Sequence, residues 1–108
     1  MLIIKEDHCS YTYVLLLVDD NTGVDIGGVG LNVYTSDIKI TGLEIEPDFQ
    51  RKGWAMVLLE AIKKIAWDVP VRLNVEKDNL PAIRLYEKAG FKRTGETKWH
   101  EYVMVWTP

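Results

Sequence analysis

The chain has 108 residues, 47% of them hydrophobic and 27% charged, with a net charge of −3 and one cysteine. That is the length of one domain, residues 1–108, with enough apolar material for a core; collagen, a coiled coil and wholesale disorder are excluded. The longest apolar run, residues 14–18, is far short of the roughly 20 residues of a membrane span, and Lys5, Glu6, Asp7 and His8 break up the apolar start before it could read as a secretory signal. A lone Cys9 forms no internal disulfide, which fits a reducing compartment, so a cytoplasmic protein is expected.

Residues 1–4 are a short apolar stretch. Residues 11–18 are β-branched, aromatic and apolar, which predicts a largely buried strand. Asp19 to Gly23 is a turn cluster, residues 24–34 resume strand character, and Thr35, Ser36 and Asp37 turn again. From residue 38 to 46 Ile38 and Ile40 alternate, then the period slips to Leu43 and Ile45 across Gly42, as it does where a β-bulge adds a residue. Pro47 stops that strand. Residues 53–68 carry Ala55, Leu58, Leu59, Ile62, Ile65 and Ala66 at helical spacing, and Pro70 ends the helix. Residues 71–75 predict a short strand. Asp78 or Asn79 caps a second helix with Pro81 in its first turn, ending at Ala89 and Gly90. Residues 91–95 and 99–106 read as closing strands. Strands interrupted by two helices predict an α+β, or mixed α/β, domain on one sheet.

The stretch Gln50, Arg51, Lys52, Gly53, Trp54, Ala55 opens the long helix directly after a strand and a short loop. A helix start carries unpaired N–H groups and partial positive charge, small residues expose them, and Arg51 and Lys52 add full charges. Plain packing of a glycine and an alanine would give the same letters. Gly27, Gly28 and Gly30 lie inside a strand pattern and predict close backbone packing or a bulge rather than a nucleotide loop. His8 beside Cys9 is too little for a metal site, and the basic residues form no run with aromatics, so neither metal nor nucleic acid is expected. Residues 1–49 hold two basic and nine acidic side chains, net −7, and residues 50–108 eleven and seven, net +4. That split suits a cationic ligand on one half and an anionic one on the other, or a solvated surface with chance clustering.

Gln50-x-x-Gly53-x-Ala55 resembles the Q/R-x-x-G-x-G/A signature of the GNAT superfamily of acetyl-CoA-dependent N-acetyltransferases. A second block, Asn79, Ala82, Tyr86, Gly90 and Phe91, is similar to that family's second motif, and Leu43-x-Ile45-x-Pro47 to the strand before its cofactor loop. The resemblance implies a twisted, mostly antiparallel sheet splayed between its fourth and fifth strands and packed by two helices. It implies that acetyl-CoA lies in the splay, its arm along the backbone of Leu43, Glu44 and Ile45 and its pyrophosphate on the N–H groups of residues 51–55 (Arg51, Lys52, Gly53, Trp54, Ala55), with Gln50 in the same loop. The N–H of Leu43 would polarise the acetyl carbonyl, Asn79 would bond the arm while capping its helix, and Tyr86 would protonate the departing thiolate; a core tyrosine is the plainer role. Arg84 and Lys88 would lie near the ribose phosphate or simply be solvated.

The resemblance leaves the general base open. The acids that family members place at the positions of Lys39 and Asn74 are missing here. Glu44, Glu46, His100 and Glu101 are the candidates, Glu44 first, with ordered water or solvent as alternatives. The two helices that family members carry between their first two strands find no room between residues 4 and 11. The acceptor side is therefore expected to be open, covered by a partner subunit in a homodimer, or shaped by the closing strands. Trp54, Trp99 and His100 are candidates for that surface, whereas Tyr102 and Trp106 read as core. The expected function is transfer of acetyl from acetyl-CoA to a primary amine on a small molecule or a protein. The alternative is a CoA- or acyl-CoA-binding module that senses or scaffolds without turnover.

Overall fold

The structure is a computed structural model and describes residues 1–6 and 12–108. The readings placed on His8 and Cys9, and on the connection too short for a helix, fall on residues 7–11 and lie outside the described residues. Seven strands and two helices follow one another as β1 (Leu2–Glu6), β2 (Thr12–Val18), β3 (Asp25–Val33), β4 (Ile38–Ile45), α1 (Trp54–Ala66), β5 (Val71–Glu76), α2 (Leu80–Lys88), β6 (Lys92–Lys98) and β7 (Glu101–Trp106). One sheet takes the order β1-β2-β3-β4-β5-β7-β6, antiparallel except between β4 and β5. This is the mixed α/β, mostly antiparallel sheet with two helices that the sequence predicts.

Most boundaries shift by a residue or two, and three shifts have a visible backbone cause. Trp67 takes φ 59° and bonds back to Lys63 O, which closes α1 ahead of Asp68. Gly95, read as a strand end, lies inside β6 at φ 90°, where the register with β7 breaks between Arg93 and Thr97. Trp99, read as the first residue of the last strand, sits in the turn before it at φ 59°.

Both helices cover the same face of the sheet. Leu15, Leu17, Val29, Leu31, Ile38, Ile40, Val71, Leu73, Val75 and Met104 turn toward that face and share one core cluster with Leu58, Leu59, Ile62 and Ala66 of α1, Ile83 of α2, and Ala89 and Phe91 just after it. Tyr102 and Trp106 pack against the same cluster, as their reading as core residues requires. The alternate residues Val14, Leu16, Gly28, Gly30, Lys39 and Asn74 look the other way and are only half-buried. Among the described residues no helix covers them.

The register of β3 with β4 runs Gly30 to Gly42 and then Leu31 to Ile40, leaving Thr41 as an extra residue. That bulge has a direct consequence. Strict alternation after Ile38 and Ile40 would send Leu43 and Ile45 to the uncovered face; one added residue returns both to the helix side. The glycines of β3 make this possible. A Cβ on Gly30 would lie 2.4 Å from Thr41 Oγ1, and one on Gly27 would lie 2.6 Å from the backbone oxygen of Glu44.

Past the bulge β4 leaves its neighbour. The parallel ladder with β5 holds only Ile38 to Val71, Lys39 to Arg72 and Ile40 to Leu73. Beyond it the two strands run on without pairing, and a slot opens between them.

Candidate active site

The slot is lined by backbone on its β4 side. Glu46 N–H donates to Ile26 O of β3 at 2.8 Å. Hydrogen-bonding direction alternates along an antiparallel strand, so Glu44 also faces β3 while Leu43 and Ile45 direct their N–H and C=O groups toward the slot. Gln50 accounts for one of these groups: its side-chain amide donates to Ile45 O at 2.9 Å and ties the loop to the strand end. Its NH2 group is thereby engaged by protein, a role the sequence pattern did not suggest.

After a single 3-10 turn at Pro47–Phe49, Arg51 at φ 63° and Gly53 at φ 85° bend the chain into α1. Arginine tolerates that conformation poorly and glycine well. The first bond of the helix runs from Val57 N to Gly53 O, and no side chain caps it. The N–H groups of Trp54, Ala55 and Met56 therefore precede the first helical bond and point out of the helix end. A Cβ on Gly53 would meet nothing within 4 Å, so glycine serves the backbone angle there, and the space in front of it is open.

These parts meet in one groove of about 620 Å³ between the slot, the start of α1 and the face of α2. It brings together Leu43, Ile45, Gln50, Arg51, Gly53, Trp54, Ala55, Asn79 and Tyr86, with Lys88 at its edge. Phe49, Met56, Ala82 and Leu85 complete its apolar wall. Sequence reasoning named Ala82 only as a letter of the second block and had not placed Phe49, Met56 or Leu85 in the site, although Leu85 neighbours Tyr86 on α2. Arg51 and Lys88 make the groove basic, in keeping with an anionic ligand.

Two of the predicted residues do not line the groove with their side chains. Lys52 is exposed and its ammonium sits 6.0 Å over the Phe49 ring. Glu44, one residue from Leu43, lines a separate hollow on the uncovered face with Val14, Leu16, Gly28 and Gly30. Its backbone belongs to the slot strand, but its carboxylate is on the far side of the sheet from Tyr86. Arg84 is exposed, and Asn79 Oδ1 accepts from Ala82 N at 3.3 Å, the cap expected of it.

Tyr86 is half-buried, edge-on to Phe91 with ring centroids 6.0 Å apart. Its hydroxyl has no hydrogen-bond partner among the described residues. Burial pushes its phenol above the ordinary tyrosine value, so at neutral pH it is a proton donor.

The sequence model of the Acetyltransferase (GNAT) family matches residues 2–91. The chain belongs to this family. Solved GNAT structures agree in fold. PaiA N-acetyltransferase from Thermoplasma acidophilum, in complex with coenzyme A, superposes with a TM-score of 0.81 at 23% identity, over 90% of this chain and 61% of that one. The ribosomal-protein-S18-alanine N-acetyltransferase from Escherichia coli gives 0.79 at 20% identity, over 93% and 71%. The spermidine/spermine N-acetyltransferase SpeG from Vibrio cholerae gives 0.77 at 21%, over 93% and 69%. No curated protein matches the sequence. The chain thus spans between about six and seven tenths of these GNAT relatives. Among the described residues no helix is long and apolar enough to cross a membrane, and no three His, Cys, Asp or Glu side chains converge as a metal site would require.

Within this GNAT fold the other candidate residues separate by face. Lys39 and Asn74 lie on the uncovered face beside the slot. Trp99 is 85% exposed at the tip of the last hairpin, and His100 beside it is exposed too. Trp54 belongs to the groove on the opposite side.

Proposed function

We propose that this GNAT chain transfers the acetyl group of acetyl-CoA directly to a primary amine. The observation that carries the reading is the meeting of three things in one groove: backbone groups of Leu43 and Ile45 with no strand partner, the uncapped start of α1, and the phenol of Tyr86. The donor fits these residues. Its extended amide-bearing arm is complementary to a strand edge, its phosphates to the N–H groups of Trp54, Ala55 and Met56 with Arg51 and Lys88 beside them. The acceptors named for similar folds, S18 alanine and spermidine/spermine, are amines and support an amine as the acceptor class.

In this reading the donor supplies an activated thioester, and the chain supplies position and polarity. Leu43 N–H polarises the acetyl carbonyl as charge develops on its oxygen. An ammonium acceptor loses one proton, its nitrogen attacks the carbonyl carbon, and the C–N bond forms as the C–S bond breaks. The nitrogen loses a second proton on becoming an amide. Tyr86 gives a proton to the thiolate and is replenished, so one proton in total is released to solvent.

Thiol release from acetyl-CoA, measured with spermidine, an alanine-starting peptide and a lysine peptide, tests the reading. Wild type is expected to turn over at least one of them. Tyr86→Phe is expected to lower kcat by about 10²-fold with little change in acetyl-CoA affinity. Tight binding without turnover on any acceptor would support the non-catalytic CoA-binding module instead, and absence of binding removes both.

A further inference from the structure

We infer that Glu101 accepts the proton of the incoming amine and that Asn74 positions it. The inference rests on the acetyl-transfer reading above. The β4–β5 ladder ends at Ile40 and Leu73, so Asn74 is the first β5 residue beyond it and borders the open slot. Leu73 and Val75, on either side of it, are buried under the helices, so Asn74 projects from the uncovered face, opposite to Tyr86. With the thiolate's proton donor on the helix side, the amine has the uncovered side by which to enter. Asn74 Nδ2 donates to Glu101 Oε1 at 3.4 Å, across from β5 to the start of β7. A carboxylate is thereby held on the uncovered face one strand back from the slot, behind Asn74.

The competing acids are less well placed. Glu44 and Glu46 are exposed and neither side chain has a hydrogen-bond partner among the described residues, so nothing fixes their carboxylates. Glu76 stands opposite Glu101 on β5 and Lys98 opposite it on β6; these are the charged groups facing it from the two neighbouring strands. Both are exposed; Lys98 forms no ion pair with it among the described residues, and Glu76 is itself a carboxylate. His100 precedes Glu101 in the turn and is exposed. A general base works when a third group orients it within reach of the proton, and only Glu101 of these has such a group. In the step, Glu101 takes one N–H proton of the ammonium and becomes the neutral acid. The nitrogen keeps the electron pair with which it attacks, and Glu101 returns the proton to solvent.

Steady-state kinetics of the full chain test this, using acetyl-CoA with whichever of spermidine, the alanine-starting peptide and the lysine peptide wild type turns over best. Glu101→Gln is expected to lower kcat by about 10²-fold near pH 7 while leaving KM for acetyl-CoA unchanged. The deficit is expected to shrink toward high pH, where solvent deprotonates the amine. Asn74→Glu in the Glu101→Gln background is expected to recover at least tenfold of about that loss, by returning a carboxylate to the edge of the slot. Asn74→Ala, which keeps the acid but frees it, is expected to cost about tenfold in kcat with the shape of the pH profile retained; it remains informative if Glu101→Gln does not fold. Calorimetric titration with acetyl-CoA checks that each variant folds and binds. A Glu101→Gln enzyme within about twofold of wild type, or a pH-dependent deficit produced by Glu44→Gln instead, overturns the inference and leaves acetyl transfer standing. Wild type that binds acetyl-CoA and turns over none of the three acceptors overturns both.

Discussion

The two faces of the sheet are made from the same strands and are built on opposite terms. On the helix side, Leu15, Val29, Ile38, Leu73 and Met104 are sealed against α1 and α2. On the other, Val14, Leu16, Gly28, Gly30 and Asn74 are half-buried, and among the described residues no helix lies over them. The comparison shows where stability and chemistry are kept. Burial on one face holds the strands so firmly that the other face, and the slot where β4 leaves β5, can keep polar and backbone groups without strand partners.

The contrast is sharpest in the cost of truncation. Leu73→Ala opens a cavity in the sealed layer and is expected to cost about 2–5 kcal/mol in urea unfolding. Leu16→Ala removes a side chain of the same size from the half-buried face and is expected to cost under about 1.5 kcal/mol. Equal losses would mean that the uncovered face is covered in solution. The glycines of β3 offer a second, smaller contrast. Gly27→Ala drives a methyl into the immobile Glu44 carbonyl and is expected to cost about 1–3 kcal/mol. Gly30→Ala meets only the Thr41 hydroxyl, which can rotate away, and is expected to cost less in the same measurement, with Thr41→Gly recovering the difference.

The smallest expected effect is one of pH. Burial raises the Tyr86 phenol above its ordinary value. Above about pH 10 the unfolded chain loses this proton before the folded one does. The unfolded state then binds fewer protons, so its contribution to stability is full below the unfolded value and is lost as pH climbs toward the folded one. Wild type is expected to lose more stability than Tyr86→Phe between pH 9 and about 11 in parallel urea melts. Identical slopes would place the phenol in water.

Much of this was legible in the residues. The slip from Ile40 to Leu43 announced the bulge because side-chain alternation is strict, and the spacing of Gln50, Gly53 and Ala55 marked the uncapped helix start. The proline at 81 narrowed the second helix's cap to Asp78 or Asn79, and the structure gives it to Asn79. What the residues did not reveal needed three-dimensional register. Asn74 and Glu101 are 27 positions apart and meet only because β5 pairs with β7. The same alternation, carried through the bulge, would have put Glu44 on the face away from Tyr86. Gly95 read as a stop because glycine ends strands as readily as it kinks them, and no local signal separates the two. The bond from Gln50 to the Ile45 carbonyl was not readable either, because the pattern names the residue and not its rotamer.

A strand with open hydrogen-bonding groups in the middle of a sheet is, in principle, an invitation to any passing polypeptide. Here the invitation is narrow. The opening begins one residue past a three-rung ladder and closes where Gln50 covers the Ile45 carbonyl. An edge that short offers a visiting β-strand only a few backbone groups, which selects against pairing with a neighbouring protein.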